Sequence, residues 1–167
     1  FFLEPVFPRL RLIIVGAGHV GRAVAHLGHL LDFETIILDD RQEFANRDRF
    51  PDAGRIVTGH MAESLAKEDI DRDTYIVIMT RGHQFDAQVL KACIHSDAGY
   101  IGMMASRRKV KQMREAFIQN KWSTPEQFDQ VHTPIGLQIG SQTVQEIAVS
   151  ISAELVMVRN QRPGVGE

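Results

Sequence analysis

The stretch "RLIIVGAGHVGRAV", Arg11 to Val24, decides the fold. An apolar run meets glycines at 16, 18 and 21. Val20, Ala23, Val24, Leu27 and Leu31 then recur at helical spacing, with Arg22, His26 and His29 on the other face. The pattern is strand, glycine turn, helix, with the spacing G-x-G-x-x-G. Gly16 permits the tight turn, and Gly18 lets a pyrophosphate approach the backbone. Gly21 lets the helix pack close on its strand, while the helix N-terminus offers free N–H groups to an anion. Such a turn is usually partnered by an acid roughly 20 residues further on, and Asp39 stands there, ending the next apolar run. A carboxylate at that position bonds ribose hydroxyls and disfavours a 2′-phosphate. Arg41, two residues on, leaves the phosphorylated form open.

Four more apolar runs follow "LIIVG" (12–16): "TIILDD" (35–40), "RIVTG" (55–59), "YIVIMT" (75–80) and "YIGMMAS" (100–106). Each is nearly continuous rather than alternating, as in parallel strands covered on both faces. Helical patterns lie between them; one carries Val89, Leu90, Cys93 and Ile94 inward. The expected fold is α/β, a doubly wound parallel sheet with extra C-terminal helices. A basic helix starts near Ser106 with Val110, Met113 and Phe117 as its stripe. Thr124-Pro125-Glu126-Gln127 and Thr143-Val144-Gln145-Glu146 open two more helices, the second running to about Val158. "HTPIGLQIG" (132–140) reads as a loop or short strand. The expected domain covers residues 11–160, with 1–10 a linker from an upstream region and 161–167 a frayed tail.

Composition narrows the function. The 167 residues are 44% hydrophobic and 24% charged, with 19 Lys and Arg against 21 Asp and Glu, a net charge of −2. No basic field calls for nucleic acid or an anionic membrane. The single cysteine, Cys93, excludes a disulfide framework or a cysteine zinc cluster, and on a buried helix stripe it reads as a structural thiol. No apolar run approaches twenty residues. The expected location is cytoplasmic.

In an open parallel sheet the carboxyl ends of all strands share one edge, where ligands bind. His19 follows the first strand. Asp39, Asp40 and Arg41 end the second, and His60 follows the third. Thr80, Arg81, Gly82, His83 and Asp86 follow the fourth, and Ser106, Arg107, Arg108 and Lys109 the fifth. These clusters are expected to converge on one site. The arginines and Lys109 suit phosphate. His60 and His83 with Asp39 or Asp40 lack the spacing of a metal set, so no metal is assigned. Nor is any catalytic residue, because no nucleophile elbow, P-loop or Ser/His/Asp order is present.

At "GAGHV", "DDRQEFANRDRFPDA", "TRGHQFDAQVL", "YIGMMASRRK" and "PIGLQIGSQTVQEIAVSISAE" the sequence resembles the C-terminal Rossmann domain of the XdhC/CoxI family, accessory proteins of xanthine dehydrogenase and related molybdenum hydroxylases. The resemblance implies a maturation factor that binds the molybdenum cofactor (molybdopterin) while a cysteine desulfurase partner supplies sulfur, and that supports insertion into the hydroxylase. It implies ligand contacts at Gly16, Gly18, His19, Asp39, Asp40, Arg41, Thr80, Arg81, Gly82, His83, Asp86 and Ser106 to Lys109, to which the glycine turn and the strand-end pattern add Val20, Gly21 and His60. Pro134, Ile135 and Gly136 fold over the same crevice in this picture. Self-association is compatible with it. Two other readings stay open. One is an NAD(H)-binding regulatory module, although such modules place Gly-Asp where this chain has Gly59-His60. The other is an NAD(P)-dependent oxidoreductase, which normally needs a second domain of roughly 100 residues or more.

Overall fold

The computed structural model describes residues 9–162. Residues 1–8 and 163–167, which hold most of the expected linker and tail, lie outside the described residues. The elements run β1 (Arg11–Val15), α1 (His19–Leu30), β2 (Glu34–Asp39), β3 (Arg55–Thr58), α2 (Met61–Ala66), β4 (Thr74–Ile78), α3 (His83–Cys93), β5 (Tyr100–Met103), α4 (Arg107–Gln119), α5 (Pro125–Asp129) and α6 (Val144–Asn160). The five strands pair in parallel in the order β3-β2-β1-β4-β5. This is the doubly wound sheet expected from the apolar runs. Each strand stops short of its run where the chain turns toward the ligand edge.

Successive strand residues face opposite sides. Leu12, Ile14, Ile37, Tyr75 and Val77 pack under α1 and α6. Ile13, Val15, Leu38, Ile76 and Ile78 pack with residues from α2 to α5. The buried face of α1 consists of Gly21, Val24, Ala25 and Gly28, while the expected Leu27 and Leu31 lie half-buried at its rim. Small residues win that face because the helix sits very close to the sheet. A Cβ on Gly28 would lie 2.8 Å from Leu12 Cδ2.

The expected loop over 132–140 begins as an added edge beside β5. The His132 N–H donates to the Ile101 carbonyl, the Met103 N–H to that of His132, and the Ile135 N–H to that of Met103. The chain then crosses to α6, where the Leu137 N–H donates to the Ser150 carbonyl. Glu154 of α6 is buried and fixes this corner. Tyr100 Oη donates to its carboxylate at 2.5 Å, and His132 Nδ1 lies 3.3 Å from the same oxygen. Tyr100 and His132 stack with centroids 4.5 Å apart. Among the described residues no helix is long and apolar enough to cross a membrane.

Candidate functional site

Strand order reverses between β1 and β4, and in open α/β sheets the crevice beyond that point binds ligands. Two glycines there are demanded by packing. Gly16 has φ +118°, and a Cβ on it would lie 2.2 Å from the Met79 carbonyl oxygen at the end of β4. A Cβ on Gly21 would lie 2.1 Å from the Gly16 carbonyl oxygen. The other two glycines meet nothing. A Cβ on Gly18 or Gly82 would have no heavy atom within 4 Å. These two are the N-caps of α1 and α3, and neither helix start has a side-chain cap. The starts of α2, α4, α5 and α6 are capped by His60, Ser106, Thr124 and Thr143. The helices leaving the two switch-point strands thus present free N–H groups and the positive ends of their dipoles at one crevice.

Asp39, the acid expected to meet a ribose, is buried. It is 1% exposed, and its carboxylate accepts from the Ala17 N–H at 2.7 Å, the Arg41 N–H, Arg41 Nε and Arg41 Nη2. Burial pushes its pKa up, but the Arg41 guanidinium and the backbone donors outweigh this and hold it below the usual aspartate value. Asp39 therefore braces the glycine turn. Asp40, the next residue, takes Arg81 end-on, with Nη1 at 2.7 Å from Oδ1 and Nη2 at 2.8 Å from Oδ2. Thr80 and Asp86 form a further pair: one carboxylate oxygen accepts from Thr80 Oγ1 at 2.6 Å and from the Thr80 N–H at 3.1 Å. Burial dominates for Asp86 and raises its pKa despite these bonds.

Other expected residues spread along the edge. His19 lies exposed at the start of α1, while Val20 packs against the core. His60 caps α2 by accepting the Glu63 N–H, and it lines a groove with Arg55, Gly59 and Lys67 beside β3, two strands from β1. His83 and Lys109 line a groove between α3 and α4 with Met113 and Trp122. Ser106 caps α4, Arg107 reaches Gln138 at 3.4 Å, and Arg108 is exposed. In the crossing segment Pro134 is exposed and Ile135 packs on the α6 core. Gly136, at φ +94°, approaches Ser150. The switch point itself thus gathers the first, second and fourth strand ends more closely than the third. Among the described residues no three His, Cys, Asp or Glu side chains gather as a metal site.

The model of the XdhC Rossmann domain matches residues 12–155. The chain belongs to that family. "Uncharacterized protein YqeB" of Escherichia coli K12 is 36% identical over 164 residues, 93% of this chain and 28% of that protein. A probable xanthine dehydrogenase subunit from Bacillus subtilis 168 is 28% identical over 160 residues, 96% of this chain and 46% of that protein. A crystal structure of a xanthine dehydrogenase from Bacillus halodurans matches with TM-score 0.82 and 31% identity, over 95% of this chain and 45% of that one. The chain thus spans less than half the length of these relatives. It is a Rossmann domain of the XdhC kind, related to proteins named for xanthine dehydrogenase.

Within this XdhC Rossmann domain, three supports of the site were not singled out from the sequence. Phe44 lies under the Arg41 guanidinium at 3.9 Å, and Phe85 under that of Arg81 at 4.6 Å. Arg49 donates to the Ala17 carbonyl at 3.2 Å and so holds the glycine turn from behind. The spacings Arg41-x-x-Phe44 and Arg81-x-x-x-Phe85 are the available signal, since a turn or helix start brings such residues together.

Proposed function

We propose that this domain binds the phosphate end of the molybdenum cofactor, molybdopterin or a dinucleotide form of it, at the β1–β4 switch point. In this reading it serves maturation of a molybdenum hydroxylase of the xanthine dehydrogenase kind as a carrier without turnover of its own. One observation carries the reading: α1 and α3 both open on bare glycines at the same crevice. No Cβ stands over either helix start, so a phosphate can take N–H donors from both. Arg81 supplies the neighbouring cation. The relatives named for xanthine dehydrogenase support the link to the hydroxylase. When bound, the cofactor supplies the molybdenum–sulfur chemistry of the hydroxylase, and a cysteine desulfurase is the expected sulfur donor. The chain's own part is to hold, orient and release. Its only thiol, Cys93, is buried and pushed up to about 12 by burial, so it is ill suited to carry sulfur.

The NAD(P) reading draws on the same glycine turn. It is disfavoured by Asp39, whose carboxylate is already taken by four donors and has little left for a ribose diol. The test compares molybdopterin, NAD(H), NADP(H) and AMP for thermal stabilisation, which grows as RT ln(1 + [L]/Kd). The expected ranking places molybdopterin first. The full-length protein is then added to an immature hydroxylase supplied with cofactor and sulfur source, and it should raise the yield of active enzyme. The reading is overturned by no stabilisation with any ligand at millimolar concentration. It is overturned equally by hydride transfer from NADH at ordinary enzymatic rates, roughly 1–10³ per second.

A further inference from the structure

The strand order places β2 and β4 on either side of β1. Asp40 follows β2 and Arg81 follows β4, so their ion pair joins the loops flanking the glycine turn. Both Nη groups of Arg81 are engaged end-on with the two carboxylate oxygens, and the Phe85 ring covers the guanidinium at 4.6 Å. Arg41 cannot replace Arg81 as the partner of Asp40. Its Nε and Nη2 are committed to Asp39, and it stands 3.9 Å from Asp40. Asp40 and an incoming anion therefore compete for one cation.

We infer that Asp40 is the specificity-determining residue of this crevice, an internal competitor that yields Arg81 to a phosphate monoester or pyrophosphate and withholds it from a carboxylate. The inference rests on the phosphate-binding reading and adds what sets its selectivity. A carboxylate tethered beside its partner acts at an effective concentration in the millimolar range or above. A free carboxylate offers Arg81 the same two-oxygen fork, so replacing Asp40 brings no gain. A phosphate brings extra charge and additional oxygens, which the uncapped starts of α1 and α3 take up together with Arg81. Asp40, already partly exposed, turns to water as the phosphate arrives.

The experiment titrates the protein calorimetrically with inorganic pyrophosphate and with succinate. It uses the wild type, Asp40→Asn, Arg81→Ala and the double variant, each first checked for folding by circular dichroism. The wild type should take pyrophosphate and ignore succinate at the same concentration. Asp40→Asn should bind pyrophosphate about two- to tenfold tighter, the factor expected for releasing a partly exposed ion pair, and should admit succinate. Arg81→Ala should weaken pyrophosphate binding about tenfold or more, and Asp40→Asn should give no gain in that background. A gain of equal or larger size in the Arg81→Ala background means simple charge repulsion and overturns the inference. So does unchanged or weaker pyrophosphate binding by Asp40→Asn when the wild type binds. Pyrophosphate binding by neither wild type nor Asp40→Asn is the separate result that removes the phosphate reading, and this inference with it.

Discussion

α1 and α3 open on Gly18 and Gly82 with no side chain over their first N–H groups, whereas α5 and α6 open on complete capping boxes. What differs is who satisfies the helix ends. In α6 the Glu146 carboxylate accepts the Thr143 and Gln142 N–H groups while Thr143 Oγ1 accepts from Glu146. The chain closes that end on itself. At the switch point it leaves two helix starts uncapped, beyond the ends of the adjacent strands β1 and β4. The capped ends are satisfied within the chain, and the uncapped ones are those the phosphate reading assigns to a ligand.

The glycines give the largest test of this contrast. Gly16→Ala and Gly21→Ala each drive a Cβ into a backbone carbonyl, and Gly16 also has a positive φ. Each should cost about 3 kcal/mol or more in denaturant unfolding. Gly18→Ala and Gly82→Ala meet open space with negative φ, so stability should move by no more than about 0.5 kcal/mol. Phosphate binding should fall sharply in both. Equal stability losses in all four variants would break the division between packing and open glycines.

Next in size is the closed corner at β5. Burial pushes the Glu154 carboxyl up, but hydrogen bonds from His132 and Tyr100 and the Gly136 N–H outweigh it, leaving its pKa below the usual glutamate value. A depressed folded pKa contributes stability above the unfolded value, and that contribution is lost as pH falls through the folded value. Glu154→Gln should cost about 1–3 kcal/mol at pH 7. The gap to the wild type should narrow on acidification below the ordinary glutamate range. A gap that widens toward acid contradicts the network. Thr143→Ala, which opens the cap of α6, should cost about 1 kcal/mol, with phosphate binding unchanged.

The two regions were not equally readable from sequence. Apolar runs and glycine spacing are local properties, so β1, the turn, and the positions of Gly16 and Gly21 follow from them. So do the capping boxes at Thr124 and Thr143, which need only four consecutive residues. Asp40–Arg81 joins residues 41 positions apart, and its partnering depends on which strands lie beside β1. The strand-end rule put both residues on one edge but could not pair them. The same rule assigned Asp39 to ribose because end-of-strand acids usually face the ligand. Here the strand extends through Asp39, and the turn and Arg41 claim its oxygens. Glu154 was hidden among helix residues; its one signal is an acid on the face of α6 that also carries Ile151 and Leu155. His60 follows a strand like the others, but an outer one, so proximity to the edge did not bring it to the switch point.

The smallest expected effect separates bracing from pairing within the crevice. Asp86 is 5% exposed and accepts both Thr80 donors through one oxygen, yet its pKa stays above the usual aspartate value because burial outweighs those bonds and the more distant charges of His83 and Lys109. An acid with a raised folded pKa holds its proton better when folded. Its ionisation therefore costs stability, a cost absent below the unfolded pKa and growing as pH rises to the folded value. Asp86→Asn keeps an oxygen for both Thr80 donors and removes the charge. Relative to the wild type it should become more stable as pH rises from 4 to 7, by less than about 1 kcal/mol, in urea unfolding at each pH. Asp39→Asn should move the opposite way with rising pH, but at lower pH: its deficit against the wild type should shrink as pH falls below the ordinary aspartate range, because there the ionised form is the favoured one. If both variants shift in the same direction with rising pH, the two buried acids do not play the opposed roles their hydrogen bonds assign: Asp39 ion-paired with Arg41 and holding the turn, Asp86 hydrogen-bonded to Thr80 and holding the loop.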